Sequence, residues 1–213
     1  MFTRAELKQQ AKEQLKGNLG MLFLCGLVVS LIGLGVGFAT ALIPIPFVST
    51  IASLLITAPI SLGLIKVYLN TTYGEKPQVA TIFDGFKQFG PAVILNILIA
   101  VFTFLWSLLL VIPGIIKGLS YSMSFYILAE NPDMTAKEAL NESKAIMDGH
   151  KMDLFVLQLS FILWALLGVV TFGIAYIYVI PYMQLTITNF YHRIKNQPVA
   201  AAPAEDVVVD TVE

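Results

Sequence analysis

From Gly17 to Ile65 the chain carries no charged side chain, an unbroken run of 49 residues. A single membrane-crossing helix needs about 20 apolar residues. The run therefore holds two helices and a turn, and Pro44-Ile45-Pro46 supplies the turn, because two prolines within three residues each remove a helical N–H and crowd the preceding turn. The rest of the chain follows suit: 57% of its 213 residues are hydrophobic and 13% charged, with mean hydropathy +0.78. A water-soluble domain carries about 25% charged residues. A chain this short of charge cannot cover itself with polar surface, so lipid becomes the solvent of its outer face. The fold class is an all-α membrane protein.

Six stretches read as membrane helices, at roughly 19–43, 47–70, 90–112, 114–130, 152–171 and 174–192. Pro113-Gly114 splits the middle pair and Phe172-Gly173 the last. Longer polar stretches, 71–89 and 131–151, separate the pairs. The expected architecture is a six-helix transmembrane bundle of three hairpins, each preceded by a short cytoplasmic interfacial helix. Residues 1–196 form a single polytopic membrane domain. Residues 197–213, with two prolines, four acids and no helical period, read as a disordered acidic tail.

Charge sets the orientation. Arg4, Lys8, Lys12 and Lys16 precede the first span, and Lys76 and Lys87 lie in the first polar stretch. Lys137, Lys144 and Lys151 lie in the second, and Arg193 and Lys195 follow the last span. That is 11 of the 13 basic residues on one side, with Lys66 one turn from the same face. Both termini are expected in the cytoplasm. The start is not expected to be a cleaved signal, despite Ala39-Thr40-Ala41: the apolar run is too long, and Glu6 and Glu13 precede it.

The polar stretches share punctuation. Thr3 with Glu6, Thr135 with Glu138 and, more weakly, Thr81 with Asp84 fit the T-x-x-E/D capping box. Gly17, Gly149 and Gly85 then stand where each short helix should end. In the first helix Leu7, Ala11 and Leu15 share a face; in the second, Ala136, Ala139, Leu140, Ser143 and Met147 do. Interfacial amphipathic helix, glycine and hairpin thus recur as an internal repeat.

Within the spans, Gly33, Gly37 and Ala41 stack at small-xxx-small spacing, expected for close packing between helices. Polar side chains form stripes. Asn96, Thr103 and Ser107 share a face of the third span, and Lys117, Ser120, Tyr121 and Ser124 one of the fourth. Ser160 marks the fifth span, with Gln184 and Thr188 in the sixth. Polar groups avoid lipid, so these faces are expected to converge, as interhelical hydrogen bonds or as a polar intramembrane cavity. Lys117 has no acid in the spans to pair with: it either snorkels to the outer surface or lines that cavity.

The sequence lacks the H-E-x-x-H, G-x-S-x-G and Walker patterns, and its two histidines, His150 and His192, fall at span boundaries. Its single cysteine, Cys25, cannot form an intrachain disulfide. No catalytic residue, metal ligand or cofactor is expected. A net charge of −1 without a basic groove points away from nucleic acid.

The stretches IPGIIKGLSYSMSFYILAENP from Ile112 and EALNESKAIMDGHKMDLFVLQLSFILW from Glu138, with Pro181-Tyr182, resemble the bacterial domain-of-unknown-function 975 family of integral membrane proteins. The resemblance covers about residues 1–195. It implies a multi-pass protein of the bacterial plasma membrane and supplies no catalytic residues. The hairpin plan is more distantly similar to membrane domains attached to some bacterial glycerophosphodiester phosphodiesterases, whose soluble catalytic domain has no room here. The expected function is non-enzymatic: binding or organising a lipid, an amphiphilic peptide or a membrane-protein partner. The alternative is a small transporter or channel for an anionic solute or lipid headgroup, using the cavity around Lys117.

Overall fold

The computed structural model describes residues 3–41 and 48–196. In chain order these form α1 (Arg4–Leu15), α2 (Leu19–Ala41), α3 (Val48–Thr72), a 3-10 helix (Val79–Gln88), α4 (Phe89–Leu109) and α5 (Val111–Tyr121). There follow α6 (Ser124–Glu130), α7 (Ala136–Ile146), α8 (Lys151–Leu159), α9 (Ile162–Val170) and α10 (Tyr176–Lys195). No strand occurs among the described residues. The Pro44-Ile45-Pro46 turn and the acidic tail lie outside them.

Two capping boxes form as expected. Thr3 Oγ1 accepts the Glu6 N–H at 3.3 Å, and the Glu6 carboxylate accepts the Thr3 N–H at 3.3 Å. Thr135 and Glu138 make the same pair of bonds at 3.3 and 2.8 Å. These bonds satisfy first-turn donors that have no partner within the helix. Gly17 and Gly149 follow the two helices at φ +82° and +78°, a region that strains any L side chain. The buried residues are Leu7, Ala11 and Leu15 in α1, and Ala136, Ala139, Leu140, Ser143 and Ile146 in α7. Helix α1 packs on α10, and α7 on α4, α5 and α6. Both are folded against the bundle.

The third box is overturned. The 3-10 helix is capped by Gln78 without a side-chain bond, and Gly85 lies inside it, outside the left-handed region. Gly85 serves close approach instead. A Cβ there would fall 1.8 Å from the Pro59 carbonyl oxygen, and one on Gly63 1.7 Å from that of Ile82. The segment lies backbone to backbone on α3, which a side chain at either position would prevent.

Among the described residues, four stretches are long and apolar enough to cross a membrane: Leu19–Ala41, Ser53–Thr72, Val79–Leu108 and Lys151–Val170. Two expected continuous spans are instead broken. The stretch 114–130 divides at Ser122-Met123 and 152–171 at Ser160-Phe161. Each break has a serine whose hydroxyl donates to the carbonyl three residues back, Leu119 and Leu157, competing with the helical ladder. The turn expected at Pro113-Gly114 falls earlier, at the extended Leu110. Pro113 stands in the first turn of α5, where its missing N–H leaves no bond unmade. The last turn is at Phe172-Gly173, with φ +49° and +92°.

The outward surface is apolar: Leu34, Phe38, Leu108 and Val170 are each about 70% exposed or more. So broad an apolar surface is unfavourable in water and suited to lipid. Inside, Leu62, Leu95, Met123, Leu128, Leu140 and Tyr191 belong to one buried cluster, and Leu22, Tyr68, Ile82, Phe161 and Tyr182 to a second. The close packing expected at Gly33 and Gly37 is not found among the described residues, where a Cβ on either meets nothing within 4 Å. Close approach occurs at Gly63, Gly85, Gly114 and Gly168, the last covered by the Tyr176 ring.

Candidate functional site

Helices α3, α6 and α10 end together, and polar chemistry concentrates there. Glu130, the last residue of α6, accepts hydrogen bonds from the Tyr73 hydroxyl, from the Tyr191 hydroxyl at 2.6 Å and from Lys195 Nζ. Its side chain is only 11% exposed. A carboxylate at a helix C-terminus faces the negative end of the dipole, so it needs these donors. Burial, with the hydrogen bond to Glu130, pushes the Tyr73 phenol up to about 12, so it remains a donor at neutral pH. His192 Nε2 lies 2.8 Å from Thr72 Oγ1, and its ring meets the Tyr73 ring edge-on at 4.9 Å between centroids. Helix α1 joins through a reciprocal amide pair, Gln14 with Asn189, at 3.1 and 2.9 Å. Glu130 accepts from two phenols and an ammonium, so the cluster forms a clasp joining three helix ends.

Two open cavities of about 500 Å³ each flank the clasp. One is lined by Gln14, Thr72, Asn189 and His192 among others. The other is walled by Lys66, Asn70 and Tyr73 of α3 and its end, by Thr81, Asp84 and Lys87 of the 3-10 helix, and by Glu130 and Lys195. The 3-10 geometry explains that wall. With three residues per turn, side chains at i and i+3 eclipse, and residues 81–89 read T-I-F, D-G-F, K-Q-F. Ile82, Gly85 and Gln88 are buried; Phe83, Phe86 and Phe89 are exposed; Thr81, Asp84 and Lys87 line the cavity.

The residues singled out from sequence are arranged differently. Ser120, Ser160 and Thr188 donate to carbonyls of their own helices, those of Ile116, Leu157 and Gln184. Ser120 also meets α7, its carbonyl accepting from Ser143 Oγ at 2.8 Å. Lys144 of α7 places its Nζ 5.6 Å from the centroid of Tyr121. Asn96 is half-buried on α4, and Gln184 half-buried on α10. Ser107 packs against Gly114 and Thr103 beside Gly118, both across the α4–α5 hairpin. Thr103 Oγ1 and Ser124 Oγ are buried without a partner among the described residues. Lys117 rests its Nζ 4.7 Å from the centre of the Trp106 ring, where the π-face attracts the cation. The structure thus brings Ser120 and Tyr121 together against α7, and sets Ser160, Gln184 and Thr188 on helices α8 to α10. The clasp was missed: its members stand 57, 61 and 65 residues from Glu130. The period-three run beside it was the available signal.

A family model described as a protein of unknown function (DUF975) matches residues 1–117 and 108–198. The chain belongs to this family. No curated protein and no solved structure matches this DUF975 chain.

Proposed function

We propose that this is a six-span, non-enzymatic protein of the bacterial plasma membrane, with both termini in the cytoplasm, that binds and organises lipid. In this reading α5 with α6, and α8 with α9, are serine-broken spans, and α10 is the sixth. The three expected hairpins are then α2/α3, α4–α6 and α8–α10. The two matching capping boxes and glycines support an internal duplication. The observation that carries the functional reading is where the polar groups are spent. Hydroxyls within the helices, including Thr71, Ser120, Thr186 and Thr188, donate to their own helix backbones, while the open polar cavities lie at one end of the molecule. Such stripes end blind, as suits a binding protein rather than a conduit. An amphiphilic peptide or a membrane-protein partner would use the same end.

A second reading, a small conduit for an anionic solute around Lys117, draws on the unpartnered hydroxyls of Thr103 and Ser124. Reconstitution separates the two. Vesicles containing the protein should show no chloride or phosphate flux above empty vesicles, and the purified protein should carry lipid. Flux that disappears in Lys117→Met would overturn the binding reading.

A further inference from the structure

We infer that the cavity between α3, the 3-10 helix and the ends of α6 and α10 binds a phosphate-bearing anion, with Lys66 as its central cation. The inference deepens the lipid-binding reading, which bears only on whether that phosphate is a lipid headgroup or free in solution.

Lys66 is the first charge after the uncharged run, and it is half-buried in the cavity wall. Among the described residues no carboxylate lies within 4.0 Å of it. The two nearby acids are committed elsewhere: Asp84 to Lys87 at 2.6 Å, and Glu130 to Lys195 and two phenols. Three ammonium groups therefore face two carboxylates, leaving one positive charge in excess. Exchanging the oxygen and nitrogen of the buried Gln88 amide lets it donate to the Leu128 carbonyl at 3.0 Å and accept from Lys66 Nζ at 3.2 Å, the assignment that satisfies both ends. That bond fixes the ammonium and leaves two of its three protons for a ligand. Asn70 and Thr81 add neutral donors on the same wall. Lysine serves phosphate as a point charge in such sites.

The surroundings favour an anion held at a lipid boundary. At about 500 Å³ the cavity is within the usual range for small ligands. The exposed Phe83 and Phe86 stand on the adjoining face of the same 3-10 helix, and Phe89, the first residue of α4, stacks on Phe86 at 6.4 Å. A helix lying in the membrane interface sinks Trp, Phe and Leu side chains into the boundary between headgroups and acyl chains. A phosphate seated among Lys66, Lys87 and Thr81 would leave acyl chains beside those rings.

The test uses the full chain in a neutral maltoside detergent. One arm titrates dioleoylphosphatidic acid, the other inorganic phosphate, with bound species counted by native mass spectrometry. Wild type should bind in one arm at least, and the arm that saturates names the source. Lys66→Met should weaken binding by about tenfold or more, the scale of losing a charged hydrogen bond. Lys66→Arg, which keeps the charge, should restore it, and Lys137→Met, which removes an exposed charge elsewhere, should match wild type. Thermal unfolding of each variant shows that it is folded. Lipid bound equally by wild type and Lys66→Met would overturn the site while leaving the lipid-binding reading in place. Wild type that binds in neither arm would overturn the site, whereas flux in vesicles overturns the broader reading.

Discussion

Two glycines and a threonine show how much single residues decide here. Gly85 has no space for a methyl group, because the Pro59 carbonyl oxygen occupies the position. Gly85→Ala must push the 3-10 helix off α3, and overpacking of this kind costs about 1–3 kcal/mol. Thermal unfolding in detergent should register that loss, whereas Gly33→Ala, with nothing within 4 Å, should unfold close to wild type. The Thr135 cap supports a second prediction, since an N-cap threonine is worth about 1 kcal/mol over alanine. Thr135→Ala should lower stability by that order. The Thr135 backbone N–H and then its hydroxyl hold the Glu138 carboxylate below its ordinary range. Its contribution is therefore complete above the usual glutamate value of about 4.3 and is lost as pH falls through the lowered folded value. An acid-unfolding curve followed by circular dichroism should lose this component in Glu138→Gln. Superimposable curves for the two proteins would contradict the assignment.

Among elements, the 3-10 helix carries the most information. Its triplet pattern turns one face to α3 and one to the cavity, and leaves Phe83 and Phe86 exposed on the third, the face proposed to meet lipid. In a Trp106→Phe, Trp164→Phe background, Phe86→Trp should be quenched strongly by brominated acyl chains and Thr81→Trp weakly. Equal quenching would remove the lipid-facing role of the phenylalanine face. The segment also marks the limit of local reading. Capping boxes at Thr3 and Thr135 were legible because their partners lie three residues away. T-I-F-D carries the same spacing, but its outcome depends on Gly63 of another helix, about twenty residues upstream. Likewise the serine breaks at Ser122 and Ser160 depend on a rotamer choice that hydropathy does not encode. The clasp at Glu130 forms through tertiary contact: Tyr191 and Lys195 stand four apart on α10, but no periodicity ties them to Glu130 or Tyr73.

For the whole molecule, the central claim is that charge, clasp and cavities share one side of the membrane, with the Phe172-Gly173 turn on the other. The uncharged run and the basic bias are what lead to this plan, because lipid penalises every misplaced charge. The polar stripes did not report where the site is, since a hydroxyl inside a helix can bond its own backbone instead of a neighbour. The most direct test is labelling of intact cells with a membrane-impermeant maleimide, in a Cys25→Ala background. Single cysteines replace Lys16, Glu75, Asp133 and Asn196, all exposed on the proposed cytoplasmic side, and Phe172, which is 98% exposed at the opposite turn. The account predicts that Phe172→Cys alone labels in intact cells and that the other four label only after the membrane is opened. Labelling of any of those four in intact cells, or protection of Phe172→Cys, would contradict it.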